Sequence, residues 1–289
     1  MEVVKTIAEV REKINTAKKS GKKTGFVPTM GFLHEGHLSL VKECQKFSDY
    51  QVMSIFVNPM QFNNQSDLDT YPVDLDRDFA LAEGAGVDLV FVPGTEEMYG
   101  ERKVFIDIEE MTDHLCGSAR PGHFRGVLTV VAKLFNIVEP DVSAFGQKDV
   151  QQAVSIEKMV QDLNFPIKII IATTIREESG LAMSSRNKRL TDDERERAVV
   201  ISESLQKAEE MLQKGERSWK IIRTAMEAHI KSGNPDSIDY ISAVDYETLQ
   251  PLENFEGRGV IAVAAFYGAA RLIDNMVIDL RGGTVQCSY

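Results

Sequence analysis

The sequence predicts an α/β protein with a doubly wound, Rossmann-like parallel sheet and a second, smaller α+β domain. Two patterns and the chain length predict it. Short runs that are apolar nearly throughout alternate with helical patterns over residues 1–175, as parallel strands covered on both faces require. Near residue 176 the texture changes to charged helices followed by a block of strand-like runs. At 289 residues the chain is long enough for one sizeable core and a smaller attached one.

The elements follow in order. Candidate strands cover 24–29, 51–57, 87–92, 142–145 and 168–172, and helical stretches cover 36–47, 73–85, 124–138 and 150–163 between them. In the first helix Leu38, Val41 and Cys44, with Leu40 and Phe47 alongside, form an apolar stripe at helical spacing. Residues 173–187 read as a polar linker or mobile loop with a break at Ser179-Gly180. Thr191 with Glu194 three positions on has the form of a capping box, so a charged helix starts there and runs to about 213. A second helix covers 218–231 and stops before Gly233-Asn234-Pro235. Strand-like runs at 237–244, 259–265 and 271–279 complete a domain over 176–289, expected to close over a site carried by the 1–175 domain.

Composition narrows the function classes. Hydrophobic residues at 43% and charged residues at 27% are ordinary for a soluble globular chain. No run approaches the roughly 18 apolar residues of a membrane span, and Met1-Glu2-Val3-Val4-Lys5 does not begin a secretory signal. Cys44, Cys116 and Cys287 are odd in number and scattered, which argues against a disulfide framework or a Cys-x-x-Cys metal site and for a reducing cytoplasm. A net charge of −11 disfavours nucleic acid, whose binding depends on clustered Lys and Arg. A small phosphorylated ligand needs only a local positive site.

A doubly wound sheet binds its ligand beyond the carboxyl ends of its strands, so the loops there are the place to search. The first strand leads into Pro28-Thr29-Met30-Gly31-Phe32-Leu33-His34-Glu35-Gly36-His37. Its glycines permit a tight turn, and the helix that follows offers unpaired N–H groups and a positive dipole end to an anion. Two imidazoles three residues apart can donate to oxygens of a transferring phosphoryl group. A zinc-protease helix spaces its histidines four apart, and no Cys or His cluster supplies further ligands, so no metal site is expected here. The second strand ends in Asn58-Pro59-Met60-Gln61, a turn that projects Gln61, whose neutral amide suits a hydroxyl or carboxylate.

The fourth strand ends in Phe145-Gly146-Gln147-Lys148-Asp149. Gly146 allows backbone near a ligand, Lys148 neutralises phosphate charge, and Asp149 caps a helix or binds ribose hydroxyls. Gln152 lies one turn into the next helix. After the fifth strand, Ile175 precedes Met183-Ser184-Ser185-Arg186-Asn187, a loop whose hydroxyls and Arg suit a polyphosphate. Each loop alone is unremarkable; four on one edge of one sheet point to a nucleotide. The acidic stretch Asp67, Asp69, Asp74, Asp76 and Asp78 lacks the glycine and terminal glutamate of a calcium loop and reads as a solvated helix start.

Together these residues resemble the pantoate–β-alanine ligase family, through segments 28–40, 56–62, Arg120-Pro121-Gly122-His123-Phe124, 146–152 and 183–187. The first and last motifs are also similar to the His-Ile-Gly-His and Lys-Met-Ser-Lys-Ser signatures of class I synthetases and nucleotidylyltransferases. The resemblance implies that residues 30–37 and 146–149, the backbone at Ile175 and the loop 183–186 hold ATP. It places His37 at the family's proton-donor position with His34 as its phosphate-binding partner, and assigns Gln61 and Gln152 to pantoate. It implies a homodimer acting on pantoate and β-alanine, with Mg²⁺ carried by the nucleotide's phosphates and water. Cys116, where relatives carry Glu, and Val73, where Arg is commoner, depart from the family pattern.

The implied reaction activates a carboxylate whose own leaving group is poor. Pantoate attacks the α-phosphorus of ATP to give pantoyl adenylate and pyrophosphate, and the amine of β-alanine then displaces AMP. Lys148, Arg186, His34 and His37 face the charge that spreads over the phosphates. A nucleotidylyltransferase is the nearest alternative and differs by leaving the nucleotide on its product. A tRNA synthetase would need an anticodon-binding domain, and a regulatory nucleotide-binding module would show no pantoate-dependent ATP–pyrophosphate exchange.

Overall fold

Six short strands build a parallel sheet: β1 (Glu2–Val4), β2 (Thr24–Thr29), β3 (Tyr50–Ile55), β4 (Leu89–Phe91), β5 (Val142–Gly146) and β6 (Lys168–Ala172). The computed structural model describes residues 1–101, 103–282 and 284–289. The strand order is β1-β4-β3-β2-β5-β6, and every registered pair is parallel. From β2 the chain winds outward through β3 to β4, then crosses to the other side of β2 for β5 and β6. That reversal puts the switch point of a doubly wound sheet between β2 and β5.

The crossover helices bury their apolar stripes on this sheet. They are α1 (Ile7–Lys19), α2 (Glu35–Gln45), α3 (Leu75–Gly84), α4 (His123–Val138) and α5 (Val150–Asp162). On α2, Leu40, Val41 and Cys44 join Val27, Met53 and Val90 of the strands in one cluster. The helix α4 is buried on nearly all sides, from Phe124 and Val127 through Phe135 to Val138. An all-round apolar helix of this kind is held by its surroundings more than by helix propensity.

The ladder between β2 and β5 is registered only at Gly25–Val142 and Phe26–Ser143, whereas β2 and β3 pair along their full six residues. Pro28 has no N–H to give to a neighbour. The two central strands therefore part company toward their carboxyl ends, where the turn after Thr29 begins.

The second sheet is antiparallel, in the order β10-β9-β8-β7: β7 (Ser237–Asp245), β8 (Arg258–Tyr267), β9 (Ala270–Asp279) and β10 (Gln286–Ser288). Helices α6 (Asp192–Ala198), α7 (Val200–Gln213) and α8 (Trp219–Ser232) accompany it. Its core joins Leu205, Ile222 and Met226 to Ile261, Val263 and Met276. The capping box at Thr191 and Glu194 is present, but the single helix expected to about 213 is interrupted at Val199.

The chain separates into two compact units. The first comprises Met1–Ile108, Arg120–Gly146 and Ser155–Ala172; the second comprises Glu109–Ala119, Gln147–Val154 and Thr173–Tyr289. Two internal segments thus belong with the C-terminal unit, and their polar contacts explain why. Gln151 donates from Nε2 to the carbonyls of Met111 and His114 and accepts from the Gly117 N–H. Asn275 on β9 donates to the carbonyls of Gln147 and Lys148.

The stretch read as a linker is instead a tight hairpin. Arg176 and Ala182 form an antiparallel bridge, Met183 N–H donates to Ile175 O at 2.9 Å, and Gly180 turns the chain at φ +94°. Arg176 grips the buried Asp274 carboxylate at 2.6 and 3.1 Å. Asn187 donates to Glu177 and Ala182, and Arg195 donates to Glu177 and to Asn187 O. Polar composition marked these residues as linker because a network of part-buried, mutually bonded polar side chains has the same composition as a solvated loop.

Candidate active site

The turn after β2 is set by a residue that sequence reasoning placed in solvent. Gly31 at φ +85° and Phe32 at φ +51° are both left-handed, a conformation glycine adopts freely and phenylalanine does not. The Asp78 carboxylate, fully buried, accepts from Phe32 N–H and Leu33 N–H, each at 2.7 Å. Arg77 lies over the Phe32 ring at 5.3 Å. Asp78 is therefore no part of a solvated helix start, whereas Asp74 does cap α3. A signal was available in the sequence: Asp78 shares helical spacing with Leu75, Phe79 and Ala82, so it lies on the apolar face of its helix.

The two histidines that follow begin α2 by capping each other. His34 is the N-cap, and its Nδ1 accepts from Gly36 N–H at 3.1 Å. His37 Nδ1 accepts from His34 N–H at 3.3 Å, and the ring centroids stand 4.1 Å apart. A nitrogen that accepts carries no hydrogen, so each neutral imidazole bears its proton on Nε2. The first turn of the helix is thus a pair of N–H donors beside main-chain N–H groups, the equipment of an anion site.

The loop after β3 lies on the same edge, since Thr29 and Ile55 are registered partners. Asn58, 1% exposed, caps the short helix Pro59–Gln61 by accepting from Met60 N–H, and it donates to Gln61 Oε1 at 3.0 Å. Tyr99 OH donates to the same Asn58 at 2.5 Å. Gln61 Nε2 lies 3.1 Å from Met30 Sδ, so the residues expected to hold pantoate and nucleotide meet directly here.

In the second unit, Lys148 and Ser184 line one pocket with Asn187 and Asp274. Lys148 Nζ stands 3.7 Å from the Asp149 carboxylate. Ser184 caps the short helix Ser185–Arg189 by accepting from Arg186 N–H, which leaves Arg186 half-buried on its first turn. Gln147 differs from its neighbours: its side chain donates to Ser288 O at 2.7 Å and accepts from Ser288 Oγ, so it is engaged within the fold. Gln152 is half-buried on the first turn of α5. Among the described residues no group of three or more His, Cys, Asp or Glu side chains is placed to hold a metal ion.

The model of the family described as pantoate-beta-alanine ligase matches residues 2–277. The chain belongs to the pantoate–β-alanine ligase family. It is 50% identical over 281 residues to the pantothenate synthetase of Acetivibrio thermocellus, covering 97% of this chain and 100% of that one. The pantothenate synthetase of Moorella thermoacetica is also 50% identical, with 97% and 99% covered. Among solved structures, the Thermus thermophilus pantothenate synthetase superposes with a TM-score of 0.89 at 42% identity, covering 95% of this chain and 98% of that one. The Francisella tularensis pantoate-beta-alanine ligase, complexed with β-γ ATP and β-alanine, gives 0.78 at 36%, covering 95% and 97%.

This ligase joins pantoate to β-alanine, and its sheets match those of its structural relatives. No helix among the described residues is long and apolar enough to cross a membrane.

Proposed function

We propose that this ligase activates pantoate with ATP through a pantoyl adenylate, and that the reciprocal His34–His37 cap is the centre of that step. In the first half-reaction a pantoate carboxylate oxygen attacks the α-phosphorus. The bond from that phosphorus to the bridging oxygen breaks, and pyrophosphate leaves with the electron pair. In the second, the β-alanine amine attacks the acyl carbon, the acyl–oxygen bond breaks, AMP leaves, and the amine gives up a proton.

The roles follow from the donors each residue offers. His37 and His34 present Nε2–H to phosphate oxygens where negative charge accumulates. Met30, Gly31, Phe32, Leu33, Glu35 and Gly36 shape the turn that lets the nucleotide approach backbone N–H groups. Gln61 and Gln152 orient pantoate through its hydroxyl and carboxylate oxygens. Lys148 and Arg186 take the charge of the phosphates, with Gly146, Gln147, Asp149, Ile175, Met183, Ser184 and Ser185 as the remaining nucleotide contacts. Gln147 acts there through its main chain, because its side chain is occupied. Mg²⁺ accompanies ATP, held mainly by phosphate oxygens and water.

The observation that carries this reading is the pair of Nδ1 acceptors, which fixes two Nε2–H donors on one helix turn. The test is ATP–pyrophosphate exchange: it should require pantoate and proceed without β-alanine, and AMP should be released only once β-alanine is added. Exchange that is indifferent to pantoate would defeat the proposal. The same reading includes a homodimer, checked by sedimentation, in a cytoplasm that keeps the three free cysteines reduced.

A further inference from the structure

The run Arg120-Pro121-Gly122-His123-Phe124 has no part in the roles above, yet its two basic side chains meet at one atom. His123, 7% exposed, is the first residue of α4, and its Nδ1 lies 2.8 Å from the main-chain oxygen of Gln61. Arg120 Nη2 donates to that same oxygen at 3.2 Å, and Arg120 Nη1 stands 3.2 Å from His123 Nε2. A carbonyl only accepts, so Nδ1 carries the hydrogen; a guanidinium only donates, so Nε2 offers its lone pair. One protonation state satisfies all three contacts: neutral imidazole with its proton on Nδ1.

The helix behind them is fitted to the same segment. A Cβ on Gly126 would sit 2.5 Å from Met60 O and 2.8 Å from Gln61 N, so α4 can lie this close only because residue 126 is glycine. Asn58 Nδ2 donates both to Gly126 O and to Gln61 Oε1. Gln61 is thereby held at its main-chain carbonyl from one direction and at its side-chain amide from another.

We propose that Arg120 and His123 are positioning residues for pantoate recognition, fixing the Gln61 peptide so that its side-chain amide meets the substrate. This rests on Gln61 being a pantoate ligand. The device acts on the Gln61 backbone, so its loss raises KM for pantoate and leaves KM for ATP in place. It also depends on which ring nitrogen donates. Asparagine can place an amide N–H near the Nδ1 position, and glutamine places one near Nε2.

The experiment measures pantoate-dependent ATP–pyrophosphate exchange for His123→Asn, His123→Gln, His123→Phe, Arg120→Met and Gln61→Ala. His123→Phe is expected to raise pantoate KM about tenfold, with ATP KM within about twofold of the parent. Arg120→Met should shift in the same direction, His123→Asn should recover most of the loss, and His123→Gln should not. Parent-like pantoate KM in His123→Phe, an Asn variant no better than Gln, or ATP KM rising in step with pantoate KM would each overturn the proposal. If His123→Phe does not fold, the Asn-against-Gln comparison and Arg120→Met decide. Gln61→Ala with unchanged pantoate KM removes both the ligand reading and this inference. Gln61→Ala impaired beside an unimpaired His123→Phe removes the inference alone.

Discussion

Replacing Asp78 with asparagine changes one atom's chemistry at the point on which the first turn of the site depends. The carboxylate accepts two main-chain N–H bonds, each 2.7 Å long, in a fully buried setting. Asparagine keeps one acceptor and turns a donor toward the other N–H. One charge-assisted bond is lost and the survivor becomes a neutral one. With charged hydrogen bonds worth about 1.5–3 kcal/mol each, the expected loss of stability is about 3 kcal/mol. That is survivable against a total of roughly 5–15 kcal/mol, so the protein should fold. The local effect is larger in function than in stability. Phe32 at φ +51° carries about 1 kcal/mol of strain that the carboxylate holds in place. Released, the turn relaxes and carries His34 and His37 with it, and a displacement near 1 Å lowers rate by about 10²-fold. Urea unfolding should report the first number, and pantoate-dependent exchange at saturating substrates the second. An Asn variant with parent-like exchange and a stability loss below about 1 kcal/mol would refute the clamp.

Three further outcomes are expected. His37→Ala should lower the exchange rate about 10²–10⁴-fold if Nε2–H donation or proton transfer is its role, and a full-rate variant would exclude that role. Arg176→Ala leaves Asp274, 3% exposed, as an unpaired buried carboxylate and should destabilise by about 3–5 kcal/mol, whereas Arg176→Met with Asp274→Asn should recover much of it; urea unfolding of both compares them. Burial pushes the Cys44 thiol up from 9.0 to about 11. A folded-state value above the unfolded one gives stability that is complete below pH 9 and lost as pH rises through 11, roughly 2–3 kcal/mol by linkage. Cys44→Ala should flatten that part of the pH–stability curve, and native Cys44 should resist iodoacetamide at pH 8.

The strands at 24–29 and 168–172 were legible to the residue because their apolar runs are bounded by charged or turn-forming neighbours. The sheet's flanking strand β1 was not, since three residues carry no period, and the terminal strand β10 escaped for the same reason. Helix α1 was overlooked although Ile7, Val10, Ile14 and Ala17 mark its face and Thr6 with Glu9 makes its capping box. The histidine turn and Gln61 were readable from motif and position. Their supports were harder. Asp78 lies 45 and 46 positions from the two turn residues it clamps, and Asn58 was read only as half of a turn-forming Asn-Pro pair. The polar hairpin over 175–183 looked like linker because sequence shows which groups are polar and not whether they find one another.

The mutual cap of His34 and His37 also sets a limit on improvement. Serine or aspartate at position 34 would begin α2 more firmly than imidazole does, since their short side chains are the favoured caps. A screen for heat resistance would therefore favour His34→Ser, and the survivors should be sturdier and inactive. Here the helix cap and the proposed donors belong to the same two side chains, so in this turn durability and turnover are rival selections.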